Sequence, residues 1–88
     1  MKSKKLYIEN LDHSTTAEHL ENIFSTYGDV TRVKVRKDKG FVEMISASEA
    51  NRARMKLDGF NLWGRTMKIY AVDHTLRNRM SYIFNRLF

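Results

Sequence analysis

The sequence predicts an α+β domain in which two helices cover one face of a four-stranded antiparallel sheet. Three observations predict it. Four short segments alternate apolar and polar residues with period two, as half-buried strands do. Two longer segments place apolar residues at helical intervals, giving each a single apolar stripe. A short charged turn between the second and third strand segments leaves no room for a crossover, so those two pair as a hairpin.

The elements follow in order. In "KKLYIEN", Leu6 and Ile8 point one way and Tyr7 and Glu9 the other, and Asn10-Leu11-Asp12-His13-Ser14 breaks the strand. "STTAEHLENIFSTYG" changes period: Ala17, Leu20, Ile23, Phe24 and Tyr27 form the stripe of a first helix. Thr15 with Glu18 fits a capping box, Thr16 is the alternative N-cap, and Gly28 sits where the helix stops. In "DVTRVKVR", Val33 and Val35 face the core while Arg32, Lys34 and Arg36 face away. After the turn at Lys37-Asp38, "GFVEMI" turns Val42 and Met44 inward and Phe41 and Glu43 outward.

A second capping box, Ser46 with Glu49, opens a helix whose narrow stripe is Ala47, Ala50, Ala53 and Leu57, ended by Gly59. Small residues there let the helix approach the sheet closely. "RTMKIYAV" is read as one fourth strand, Met67 and Ile69 inward and Lys68 and Tyr70 outward. The order β-α-β-β-α-β is the ferredoxin-like, split βαβ pattern. It occupies residues 1–72, and a further segment occupies residues 73–88. There Leu76, Met80, Ile83 and Leu87 recur at helical spacing, Phe84 widens the stripe, and Asp73 or Thr75 is placed to cap it.

Composition narrows the chemistry. Eighty-eight residues with 42% apolar content make one domain with a modest core. There is no Cys, so disulfides and thiolate metal sites are excluded, and no Pro, which favours regular elements. The three His, at 13, 19 and 74, lack metal-ligand spacing. No apolar run approaches the roughly 20 residues that span a bilayer. The basic start "MKSKKLYIENL" lacks the apolar stretch of a secretion signal, so the expected location is intracellular: cytoplasmic, or nuclear in a eukaryote. A net charge of +6 favours polyanionic partners. Between Val30 and Lys37 every charge is basic.

Two helices leave the other sheet face open. The outward residues are Tyr7, Glu9, Arg32, Lys34, Arg36, Lys39, Phe41, Glu43, Lys68 and Tyr70. Aromatics among cations are what single-stranded nucleic acid requires: each base has a π-face to stack and each phosphate a charge to neutralise.

At these residues the chain resembles the RNA recognition motif family. "LYIENL" (6–11) is similar to the family's strand-one hexamer, with its stacking aromatic at Tyr7. "KDKGFVEM" (37–44) is similar to the octamer K/R-G-F/Y-G/A-F-V-x-F/Y, agreeing at Lys37, Gly40, Phe41 and Val42. It departs at Asp38, at Lys39 (where an aromatic is usual) and at Met44. A register starting at Lys39 is rejected, because it puts Glu43 in the main stacking position. The resemblance spans residues 4 to 72, including "TAEHLENIFSTYGDV" and "LDGFNLWGRTMKI". It implies that Tyr7 and Phe41 each stack a base, that Lys39 replaces a third aromatic by contacting a phosphate or a ring face, and that Tyr70 compensates in part.

The expected function is therefore single-stranded RNA binding without catalysis or cofactor, through stacking, base-edge hydrogen bonds from strand backbone and termini and phosphate contacts from strand two, with Arg32, Lys34, Arg36, Glu43 and Lys68 among the binding residues. Single-stranded DNA is a second candidate ligand. The alternative is a protein-interaction module on the same fold, acting through the stripe Leu76, Met80, Ile83, Phe84 and Leu87. That helix would fold over the open face, pack at the sheet's edge, form a homodimer, hold another protein or, least favoured, sit on a membrane surface. The subtype that grips a partner's Trp through Arg-x-Phe is disfavoured, since this chain reads Arg65-Thr66-Met67. No nucleophile with a base, tuned carboxylate pair or phosphate-cradling loop is visible, although Glu9 and Glu43 are read as neighbours across strands one and three.

Overall fold

A computed structural model describes residues 3–72. The strands are β1 (Lys5–Glu9), β2 (Val30–Arg36), β3 (Lys39–Met44), β4 (Asn61–Leu62), β5 (Arg65–Thr66) and β6 (Lys68–Ala71). The helices are α1 (Ala17–Phe24), continued by one 3-10 turn at Ser25–Tyr27, and α2 (Ala47–Leu57). Strands β2-β3-β1-β6 form one antiparallel sheet in that order, and β4-β5 form a separate hairpin. The predicted ferredoxin-like class holds. The amphipathic helix expected within 73–88, with its proposed gating, dimer or partner role, lies outside the described residues.

The core is the layer between helices and sheet. Leu6, Ile8, Val42, Met44, Met67 and Ile69 meet Leu11, Leu20, Phe24, Ala50, Ala53 and Leu57 there. Each fully buried Leu or Phe contributes about 1.5–3 kcal/mol relative to exposure. The α2 stripe is narrow because Ala50 and Ala53 are its contacts, as the small-residue pattern predicts. In the α1 stripe, Leu20 and Phe24 are buried, Ile23 and Tyr27 pack at the margin, and Ala17 is exposed.

Three local expectations change. The N-cap of α1 is Thr16, not Thr15: its hydroxyl accepts from His19 N–H at 3.1 Å, and His19 Nδ1 accepts from Thr16 N–H at 3.1 Å. Histidine thus fills the capping-box position, while Thr15 is buried. Ser46 does cap α2, accepting from Glu49 N–H at 3.2 Å. Glu49 does not reach back to it but accepts instead from Asp29 N–H at 2.8 Å, tying the end of the 3-10 turn to α2. A β-carbon at Gly28 would run into that carboxylate, so the glycine there serves close approach.

The third change is the fourth strand, which breaks at Met67. Met67 N–H bonds the Phe60 carbonyl at 2.9 Å, and residues 61–66 fold back as the β4-β5 hairpin. Trp63 and Gly64 both adopt positive φ, 53° and 83°, in its two-residue turn. Asn61 Oδ1 steadies that turn by accepting from Gly64 N–H at 3.0 Å. Only residues 68–71 join the main sheet.

Candidate nucleic-acid interface

The register across the sheet sorts the outward residues into three rows. The middle row is Lys34, Phe41, Tyr7 and Tyr70, one from each strand. On one side lie Arg32, Glu43 and Lys5. On the other, Arg36 pairs with Lys39 and Glu9 with Lys68, and the β1-β3 ladder runs out beside them at Ile8 and Gly40. Adjacent strands are about 4.8 Å apart and same-face neighbours on a strand about 6.6–7 Å. The rows therefore repeat on the scale of a nucleotide.

All nine sequence-predicted binding residues fall on this grid. Gly40 sits on the opposite face, where a β-carbon would meet Leu20 Cδ1 at 2.8 Å and Leu11 Cδ1 at 3.1 Å. That close approach is why the octamer register beginning at Lys37 fits the fold. Lys37, one of two residues in the β2-β3 turn, takes φ of +58°, and the turn is anchored by Leu11 N–H to the Asp38 carbonyl at 2.8 Å.

Tyr7 and Tyr70 stand with ring centroids 6.2 Å apart and planes at 29°. The Arg32 guanidinium lies 5.8 Å from the Phe41 centroid, within cation–π range. The expectation that both central rings lie open is not met: Tyr7 is 0% and Phe41 6% exposed, against 39% for Tyr70. β1 and β3 are the central strands, so Tyr7 lies between Phe41 and Tyr70 in its row and Phe41 between Tyr7 and Lys34, with Arg32 beside it; such neighbours flank a ring without covering its outer face. Period two in the sequence assigns a face and says nothing of what closes over it. Burial, followed by the Glu9 carboxylate, raises the Tyr7 hydroxyl pKa well above its ordinary value.

Charge is more interleaved than the sequence alone indicates. Glu43 is not beside Glu9, because the register sets it opposite Lys5 and Arg32. Lys4 Nζ approaches Glu43 Oε2 at 4.0 Å. Lys39 Nζ lies 3.4 Å from Asp38 Oδ1. Burial alone would raise the Asp38 carboxyl, but the Lys39 contact outweighs it and holds the pKa below the ordinary carboxylate value. The pairing also restrains the lysine that replaces the third aromatic.

Sequence reasoning missed one feature, an open pocket of about 360 Å³ where the third row meets the β1-α1 loop. Glu9, Asn10, Asp38, Lys39 and Lys68 line it. Asn10, at φ +67°, donates to the Thr66 carbonyl at 2.8 Å and accepts from Arg65 Nη2 at 2.9 Å, fastening the loop to the β4-β5 hairpin. Asn tolerates this left-handed backbone better than most residues, and that preference was the only local signal available. Among the described residues no cluster of His, Cys, Asp or Glu could hold a metal, and no helix is long and apolar enough to cross a membrane.

Comparison with known proteins gives a consistent picture. The RNA recognition motif matches residues 6–68. The chain is 39% identical over 72 residues to RbpE of Nostoc sp. (strain PCC 7120), covering 73% of each chain. It is 38% identical over 66 residues to the polyadenylate-binding protein RBP45B of Arabidopsis thaliana, covering 73% of this chain but 16% of that one. The crystal structure of RNA-binding protein PG1 superposes with a TM-score of 0.76 at 28% identity, over 80% of this chain and 94% of that one.

Proposed function

This chain belongs to the RNA recognition motif family, and from that membership we propose that it binds single-stranded RNA across the sheet face without catalysing a reaction. The observation that carries the reading is the middle row: three aromatic rings in register, with cations in the rows on both sides. Tyr7 and Phe41 each stack a base, and Tyr70 extends the platform on the β6 side. Arg32, Lys34 and Arg36 take phosphates, Lys68 adds a cationic donor on β6, Lys39 takes a phosphate or lies over a ring, and Glu43 accepts from a base edge.

The burial of Tyr7 and Phe41 gives this function a further condition: whatever closes over the two rings must yield to RNA. The proposed cover is the segment 73–88, which follows β6 in the sequence and carries the stripe of Leu76, Met80, Ile83, Phe84 and Leu87. In the full chain, Ile83→Asp with Leu87→Asp then raises RNA affinity several-fold. Unchanged or weakened binding removes the segment as a competitor.

The test of the main reading is a titration of the isotope-labelled full chain with single-stranded homopolymer RNAs, followed through backbone amide shifts. Expected perturbations fall on 5–9, 30–36, 39–44 and 68–71, while α2 stays still. Shifts confined to α1 and α2, or equal response to duplex RNA, overturn it.

A further inference from the structure

The pocket at the end of the sheet has a chemistry that general RNA binding does not require. We infer that it is a guanine subsite, with the Glu9 carboxylate and the Lys68 ammonium reading the base edge; this rests on the RNA-binding reading above. Three observations lead to it.

First, Glu9 and Lys68 are direct cross-strand partners, and both line the pocket. Neither residue belongs to the Lys4–Glu43 or Lys39–Asp38 pair, and the Glu9 carboxylate lies beside the Tyr7 hydroxyl, which orients it on the sheet face. An acceptor with a full negative charge thus stands about one strand spacing from a donor with a full positive charge. Second, the same two strands carry Tyr7 and Tyr70 two residues away on the same face, their rings stacked at 6.2 Å. Tyr70 is 39% exposed and open to a base. A base lying on it extends along the strand direction to Lys68 and Glu9. Third, the far wall is fixed: Asp38 holds Lys39 at 3.4 Å, and the Asn10 amide is engaged by Thr66 and Arg65. Those groups shape the site and leave Glu9 and Lys68 to discriminate.

Guanine is the base that this pair fits. Its Watson–Crick edge carries two adjacent donors, N1–H and the N2 amino group, beside the O6 acceptor. A carboxylate accepts both donors as parallel charge-assisted bonds, and an ammonium donates to O6. Adenine and cytosine each offer one donor next to a ring nitrogen acceptor, whose lone pair would face the carboxylate. Uracil offers one donor between two carbonyls. A site built for two donors rejects an edge lacking them, because its charged groups are left unpaired.

The experiment uses the full chain and nine-nucleotide oligouridylates with one central G, inosine, A, C or U. The structure predicts that central G binds about tenfold or more tightly than A, C or U, with inosine, which lacks the N2 amino group, in between. Glu9→Gln, which turns one carboxylate oxygen into a donor, brings the five oligomers to within about threefold of one another. Lys68→Met weakens the preference without reversing it. Equal binding of all five oligomers by the unaltered chain overturns the subsite while leaving RNA binding intact. A G preference that survives Glu9→Gln also overturns it. If no oligomer binds, the RNA-binding reading falls and takes the subsite with it.

Discussion

Gly40 shows how much a single position in this fold can decide. The octamer resemblance marks it, and the structure supplies the reason: the core face of β3 touches Leu20 and Leu11 there. Leu20 is itself fully buried, so its methyl has to shift within a packed core. Gly40→Ala is expected to destabilise the chain by about 1–3 kcal/mol through overpacking, measured as a lower denaturant midpoint at unchanged slope. Asp38 carries a second residue-level prediction. Its folded pKa lies below the ordinary 3.8, so its contribution is present above that value and is lost as pH falls through the folded pKa. Between about pH 4.5 and 2, the unaltered chain should lose stability more steeply than Asp38→Asn in pH-dependent urea unfolding. Identical slopes would show that the Lys39 contact has no folded-state effect. Phe41 and Tyr7 mark the limit of what residues disclose: alternation placed both on the correct face, but their burial depends on what lies above the sheet.

Among elements, the helices and the existence of the fourth strand were legible, and the point where that strand begins was not. The stripes of α1 and α2 are local patterns, so the sequence carries them directly. The break at Met67 depends on a bond from Met67 N–H to the Phe60 carbonyl, and nothing in "RTMKIYAV" encodes that partner. Trp63-Gly64 was the available sign of a hairpin, disguised because Asn or Asp usually occupies the first of two such positive-φ positions. The cap of α1 was ambiguous for a similar reason, since three polar residues precede the helix and a His stands where Glu or Gln is common. With Thr16 as the N-cap, Thr16→Ala should cost about 1 kcal/mol, and His19→Ala should cost less because it removes only the reciprocal bond. Thermal melts of both variants check the order. A larger loss for His19→Ala would point instead to its edge contact with Trp63, at 4.7 Å between ring centroids.

For the whole molecule, the rows of the sheet matter more than the total of +6. Composition indicated a polyanion partner, and the period-two strands indicated which residues share a face. The row order, the separation of Glu9 from Glu43 and the pairing of Glu9 with Lys68 come only from cross-strand register, which no local pattern fixes. Binding through this face combines two terms that respond differently to salt: phosphate contacts weaken as log K falls by about 0.7 per phosphate for each tenfold rise in salt on a single strand, while stacking is nearly salt-independent. The most direct measurement is the affinity of the full chain and of a Tyr7→Leu, Phe41→Leu variant for one single-stranded RNA over a range of salt concentrations, with matched melting curves to show that both are folded. Leucine keeps the apolar volume and removes the rings. The account predicts a loss of at least about tenfold from two forgone stacks, each worth about 1–3 kcal/mol, with the salt slope unchanged. Affinity within twofold of the unaltered chain at every salt concentration would contradict it, leaving a polycation on which the aromatic row has no part in binding.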